Sequence, residues 1–394
     1  MTAVSLSANW NYPTKVWFGP DRTDQLVPAC REIGAANPLI VSDPFFSSLP
    51  VMAALRRALH DAGISEDLFD RLQGNPTSKN LEDGIYAYRQ GGHDSVIAIG
   101  GGSALDVGKT IAFMVAQERP VWDFEDIGDY WRRAKVEGIA PVIAIPTTSG
   151  TGSEVGRATV ITNEATHEKK IIFHPMMMPR IVIADPVLTI GLPAQLTVGT
   201  GMDALAHNIE AYCAPSYHPM ADAIAVEGAR LLKRWLPVAT TEGANVEARA
   251  HVMAAASMGG TSFQKGLGAV HSLSHPIGAI HNFHHGMTNG VLIPYVIDFN
   301  RQAIGEKMDH LARSLELDGK GTGVDRVINW MLEFRKVLNV PHTLAEFGVT
   351  RDNFERIAEM SVVDPTAGSN PVPLTVEGSL KILQAAYDGQ ISRK

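Results

Sequence analysis

Four short apolar runs, rich in valine and isoleucine, recur through the first half of the chain, at 38–41, 95–99, 140–145 and 181–184. None alternates with polar residues, as a strand with one wet face would. A strand that is apolar all round must be covered on both faces, which is the condition of a parallel sheet flanked by helices. The intervening chain agrees, because residues 49–62 carry helical spacing and the runs end in polar or glycine-rich turns. After about residue 190 the texture changes. Ala-, Leu- and Met-rich stretches at 198–215, 219–236, 245–264, 268–282, 286–299 and 325–338 read as helices, and strand-like runs thin out. We place the boundary near Asp185-Pro186 and expect an α/β domain over 1–187 and an all-α domain over 188–394. No internal repeat or low-complexity linker separates them.

Composition removes several classes of function. A net charge of −8 argues against a nucleic-acid surface, which needs a basic stripe. Cys30 and Cys213 are the two cysteines, too few for a disulfide framework or a thiolate zinc site. No run approaches the roughly 20 apolar residues that span a bilayer. The first 19 residues lack the charged and apolar segments of a signal peptide. The expectation is a cytoplasmic protein without membrane or nucleic-acid partners.

Two loops follow predicted strands directly. Gly100-Gly101-Gly102-Ser103 leads into a helical stretch reaching about Val115. Glycines allow close backbone approach to a phosphate, and helix N-terminal amides donate to it. The loop departs from the common dinucleotide fingerprint, since Leu105 stands where a third glycine would. Read alone, it is equally a tight strand-to-helix turn. The second loop, 146–154, is Pro-Thr-Thr-Ser-Gly-Thr-Gly-Ser-Glu. Small hydroxyl residues and glycines at the C-terminal end of a parallel strand lie where open α/β sheets bind ligands. Asp43 ends the first strand. It can accept from ribose hydroxyls and repel a 2′-phosphate, or simply cap the turn before Pro44.

Histidine is unevenly distributed. His271, His275, His281, His284 and His285 fall within fifteen residues, and Asp203 and His207 sit four apart upstream. Residues at i and i+4 share a helix face, so a carboxylate and an imidazole can converge on one ion. Such donors suit Fe(II), Zn(II), Mn(II) or Co(II). Spacing alone does not select which of the five histidines ligate. Glu210 shares the face of Asp203 and His207 and reads as a partner of a ligand rather than a ligand. His174, His218 and His251 have no such company and read as surface or packing residues.

Together GGGSALDVGK at 100–109, PTTSGTGSEV at 146–155, TGMDALAHNIEAY at 200–212 and GAVHSLSHPIGAIHNFHHG at 268–286 resemble the iron-containing (group III) alcohol dehydrogenase family, in its order and spacing. The resemblance runs from about Tyr12 to the last helical stretch. It implies an N-terminal dinucleotide-binding domain and a C-terminal metal-binding domain. It implies metal ligation by Asp203, His207, His271 and His285, and a catalytic histidine near the nicotinamide at His275, acting with Asp203 and His271. Cofactor contacts fall on Asp43, Asn75, Gly101, Gly102, Ser103, Thr147, Thr148 and Lys169, with Lys170 adjacent. His281 and His284 stand where many members carry other residues.

The implied activity is hydride transfer between a small alcohol or hydroxy compound and a nicotinamide, with NAD rather than NADP and Fe(II), or Zn(II), as the ion. The implied partners are a small alcohol or aldehyde and further copies of the chain, as a homodimer or higher oligomer. The site is expected between the domains. The alternative is a non-redox lyase of the dehydroquinate synthase type, using NAD transiently. A phosphate-bearing substrate would need basic residues beside the metal, and of Lys233, Arg234, Arg249 and Lys265 only Lys265 is near the histidines in sequence.

Overall fold

A computed structural model of the protein describes residues 12, 14–166 and 168–392. The first eleven positions, most of the stretch without signal-peptide features, lie outside the described residues. Contacts divide the described chain into two compact units, one from Tyr12 to Gly191 and one from Leu192 onward.

The first unit is built on eight strands: β1 (Lys15–Phe18), β2 (Pro38–Ser42), β3 (Leu68–Phe69), β4 (Ser95–Gly100), β5 (Val142–Pro146), β6 (Ala158–Asn163), β7 (Glu168–Phe173) and β8 (Ile181–Ala184). Six form one sheet in the order β1-β8-β5-β4-β2-β3, and every neighbouring pair is parallel. Helices α1 (Leu26–Ile33), α2 (Pro44–Ser47), α3 (Pro50–Asp61), α4 (Ser78–Gly91) and α5 (Gly102–Met114) accompany it. Strands β2, β4, β5 and β8 are buried at every residue, which is why their sequences show no alternation. Strand β1 is mostly exposed and β3 has two residues, so neither stood out in sequence. The antiparallel hairpin β6-β7 was not anticipated either, because its strands mix lysine, threonine and isoleucine on half-buried faces.

The second unit is helical: α6 (Ala194–Cys213), α7 (Pro219–Thr241), α8 (Val246–Ser262), α9 (Ala269–His281), α10 (His285–Phe299), α11 (Gly305–Ser314), α12 (Gly323–Val337), α13 (Leu344–Phe347), α14 (Phe354–Val362) and α15 (Val376–Asp388). The fold class expected from sequence, a parallel-sheet α/β unit followed by a helical one, is therefore the observed one. Helix α6 is buried from Thr197 to Cys213 except at Thr200, so it forms the axis of this unit rather than an amphipathic surface helix. Among the described residues no helix is long and apolar enough to cross a membrane. Cys30 and Cys213 are buried free thiols, and burial pushes both up to about 12.

Candidate functional site

In the first unit the C-terminal ends of β2, β4 and β5 lie side by side, with Ser42 opposite Ile99 and Gly100 opposite Pro146. These ends carry Asp43, the glycine loop and the threonine loop, which is where an open α/β sheet offers a ligand site. Gly100 has φ +149°, and a Cβ there would lie 2.7 Å from Ala104 Cβ and 3.0 Å from Asp43 Oδ2. Only glycine allows the chain to leave β4 in this conformation and begin α5 at once. Gly101 is the N-cap of α5, with Gly102 and Ser103 its first residues. The helix therefore opens with free amides toward this loop.

Asp43 does two things. Its Oδ1 accepts from Phe46 N at 2.9 Å and caps α2, while Oδ2 faces Gly100. Thr147 is buried and donates its amide to Gly100 O at 3.0 Å, and Thr148 lies beside Gly101. Ser103 Oγ donates to Gly74 O at 2.6 Å, which brings the exposed Asn75 to the same loop. Lys170 is engaged by Glu125 and Glu168. Lys169 projects from the other face of β7, and its charge acts on Asp106 beneath the threonine loop. Of the two lysines, Lys169 is therefore the one whose charge reaches Asp106, while Lys170 is committed to Glu125 and Glu168.

Two residues of GGGSALDVGK carry a task that sequence did not assign. Lys109 is fully buried and donates to the carbonyls of Ser153 at 2.8 Å, Gly156 at 3.3 Å and Ala158 at 2.8 Å. Asp106 accepts from Ser153 Oγ at 2.5 Å and Val160 N at 2.9 Å. Together they fasten the threonine loop to the helix that starts at the glycine loop. Burial lowers the Lys109 ammonium to about 8, against the pull of Asp106 and Glu154.

In the second unit the acid and histidines converge. Asp203, His207 and His271 are buried and offer ligand atoms all within 4.8 Å of one another. Asp203 Oδ1 lies 3.8 Å from His207 Nε2, 3.6 Å from His271 Nε2 and 3.4 Å from His285 Nε2. Helix α6 supplies the first pair at i and i+4, α9 supplies His271, and His285 opens α10. The last placement depends on a close helix crossing. A Cβ on Gly286 would lie 1.9 Å from Gly199 O, so α10 meets α6 backbone to backbone beside Asp203.

The donor set fits a divalent ion. One carboxylate and three imidazoles are borderline donors suited to Fe(II) or Zn(II). The Asn289 amide nitrogen lies 2.8 Å from Asp203 Oδ1, 3.3 Å from His271 Nε2 and 3.2 Å from His285 Nε2. An electropositive group thus already sits among these three donors. The outward ring nitrogens of His271 and His285 are held as metal-ligand histidines require. Glu210 Oε2 lies 2.5 Å from His271 Nδ1, and Ser274 Oγ lies 3.2 Å from His285 Nδ1. Burial would raise the Asp203 carboxyl, but His207, His271 and His285 hold it below the ordinary carboxylate range. Burial would lower His271, but Glu210 and Asp203 push it up to about 9. The His285 side chain keeps 29% exposure, so the cluster is not sealed, as catalytic rather than structural metal sites require.

His275 stacks on His285 at 5.3 Å between ring centroids, and its Nδ1 meets Asp364 Oδ2 at 2.8 Å. Asp364 and Asn289 are the site residues that sequence reasoning missed. His281 stacks on Phe283, and His284 caps α10 beside Gly199. Of the histidines read as surface or packing residues, His174 and His218 are buried helix caps, and His251 stacks on Trp235. Lys265 is bound by Asp222 and the Tyr212 carbonyl, which commits its charge to the end of α6.

The chain matches the profile of iron-containing alcohol dehydrogenases over residues 13–186 and that of the Fe-containing alcohol dehydrogenase family, C-terminal, over 197–387. It is 36% identical over 374 residues to a 4-hydroxybutyrate dehydrogenase of Cupriavidus necator, covering 91% of this chain and 94% of that protein. It is 33% identical over 383 residues to an NAD-dependent methanol dehydrogenase of Bacillus methanolicus, covering 96% and 99%. A solved structure of a 1,3-propanediol oxidoreductase superposes with a TM-score of 0.91 at 31% identity, covering 96% of this chain and 100% of that one.

Proposed function

This chain belongs to the iron-containing alcohol dehydrogenase family and is an oxidoreductase acting on CH–OH groups, and we propose that it interconverts a small terminal alcohol and its aldehyde with NAD(H) and one Fe(II) ion. The observation that carries the reading is the convergence of Asp203, His207, His271 and His285, with Glu210 behind His271. The relatives reported above are named for methanol, 4-hydroxybutyrate and 1,3-propanediol, each with a terminal alcohol. When bound, the ion supplies Lewis acidity toward the substrate oxygen and the nicotinamide supplies or accepts the hydride.

The chain's own residues do the rest. Asp203, His207, His271 and His285 hold the ion, and Glu210 fixes the His271 ring so that Nε2 faces the other donors. Amides at Gly101, Gly102 and Ser103 receive the cofactor diphosphate at the N-terminus of α5. Thr147, Thr148, Asn75 and Lys169 line the cofactor's path. Asp43 Oδ2 would be the acceptor for an adenosine ribose hydroxyl, which would favour NAD over NADP. His275 passes the substrate proton onward. Zn(II) is the competing ion, since it binds such donors more tightly than Fe(II). We further propose a homo-oligomer in a cytoplasmic, reducing compartment, in keeping with two buried free thiols. The division at 187/188 read from sequence is proposed as the domain boundary.

The test is loss of NADH absorbance with a panel of short aldehydes, using metal-free protein reloaded with Fe(II) or Zn(II). Turnover that requires the ion and disappears in His271→Ala is expected. Tight NADH binding without turnover on any aldehyde and either ion would overturn the proposal.

A further inference from the structure

His275 and Asp364 lie 89 residues apart in sequence and meet at 2.8 Å, Nδ1 to Oδ2. The carboxylate is held at its other oxygen as well. Asp364 Oδ1 accepts from Thr366 N at 2.9 Å and from Thr366 Oγ1 at 2.5 Å, which caps the turn Pro365–Ser369. The group therefore cannot rotate without losing three hydrogen bonds. The ring is fixed too, parallel to His285 within 15° and edge-on to His271 at 5.9 Å. The side chains of both partners are largely covered, at 15% and 13% exposure. Burial would raise the Asp364 carboxyl, but His275 and Thr366 hold it below its ordinary value, so it is an acceptor at neutral pH.

We propose that Asp364 is a positioning residue that holds His275 in one orientation and in the tautomer protonated on Nδ1, leaving Nε2 to exchange the substrate proton. An ionised carboxylate has no proton to give, so Nδ1 must donate to it. In aldehyde reduction the hydride of NADH goes to the carbonyl carbon, and the oxygen gains the proton that leaves Nε2 of the imidazolium. The ring returns to its neutral form with Nδ1–H still bonded to Asp364, and solvent restores the proton at Nε2. Alcohol oxidation runs the same transfers backwards. Asp364 itself stays ionised throughout, as the buried carboxylate behind a catalytic histidine does in hydrolytic triads. The inference rests on the role proposed above for His275.

The substitution Asp364→Asn tests it. The new carbonyl oxygen can keep both Thr366 bonds while the amide nitrogen faces Nδ1. An amide N–H demands an acceptor there, so the ring should invert to the Nε2–H tautomer. Two-bond proton–nitrogen correlations on zinc-loaded, 15N-histidine enzyme read the tautomer directly, with His275→Gln identifying the signal. The wild type is expected to show Nδ1–H, Asp364→Asn to show Nε2–H, and Asp364→Glu to restore the first pattern and part of the rate. With metal content and NADH affinity unchanged, kcat of Asp364→Asn should fall by about 100-fold or more. An Nε2–H ring in the wild type overturns the inference, as does an Asp364→Asn enzyme within about threefold of the normal kcat. The two readings fail separately. If His275→Gln keeps full kcat, the role of His275 is wrong; if it loses kcat and Asp364→Asn does not, only the role of Asp364 is wrong.

Discussion

Glu210 shows what one carboxylate contributes at a metal centre. It accepts the amide of Val270 at 2.7 Å as well as facing His271 Nδ1, so it fixes both the start of α9 and the ring that α9 presents. Removing its charge should weaken the ion without unfolding the chain. Glu210→Gln is expected to lower divalent-metal affinity by about 10- to 100-fold, read by competition with a chromophoric chelator. Sequence spacing placed Glu210 on the face of Asp203 and His207, and the structure adds its partner. Asp364, and the contact of Asn289 with Asp203, were out of reach of the same reasoning, although Asn289 sits one turn after His285. Their contacts to His275 and Asp203 span 89 and 86 residues, and no local pattern records a pairing made by tertiary packing. Asp43 carries a further expectation at this scale. Asp43→Gly should reduce the preference for NADH over NADPH, measured as the ratio of kcat/KM values. An unchanged ratio would remove Asp43 from cofactor discrimination.

Elements set where those residues meet. The crossing of α6 and α10 at Gly199 and Gly286 has no room for one added carbon. Gly286→Ala should therefore push the helices apart and cost about 1–3 kcal/mol in denaturant unfolding, with loss of bound metal because His285 moves with α10. Helix α12 illustrates capping instead. Thr322 and Asp325 form a capping box, and Arg301 meets the same carboxylate at 2.6 Å. Arg301 and Thr322 pull the Asp325 carboxyl from 3.8 down to about 2. Because the folded-state value is the lower one, this contribution is complete above 3.8 and disappears as pH falls through about 2. Asp325→Ala should cost about 1 kcal/mol at neutral pH, and the gap from wild type in urea melts should close toward pH 2. The buried strands were legible because each is a short, largely apolar Val/Ile run, and the long helices because they are extended Ala-, Leu- and Met-rich stretches. The hairpin β6-β7 and edge strand β1 were not, since strands exposed on one side carry lysine and threonine as loops do.

At the scale of the whole molecule, the nucleotide-type loops belong to the unit of Tyr12–Gly191 and the metal-type cluster to the unit beginning at Leu192. Each is assembled from its own core. Asp203→Asn should therefore abolish metal binding while leaving NADH affinity nearly unchanged, as titration calorimetry would show. Asp43→Gly should weaken NADH binding and leave metal affinity nearly unchanged. The four motifs made both halves of the chemistry readable, because loops that approach phosphate and helices that present ligands use few residue types. The fastening of one loop to another by Lys109 was hidden, since a lysine inside an apolar helix looks like any surface lysine until its burial is known. The most direct test of the account is a titration of metal-free enzyme with Fe(II) under anaerobic conditions, following bound metal and NADH-dependent aldehyde reduction in the same sample. Activity should rise in proportion to bound ion and break at one equivalent per chain, with neither signal in Asp203→Asn. Full turnover by the metal-free enzyme, or a site that fills without restoring any activity, would contradict it.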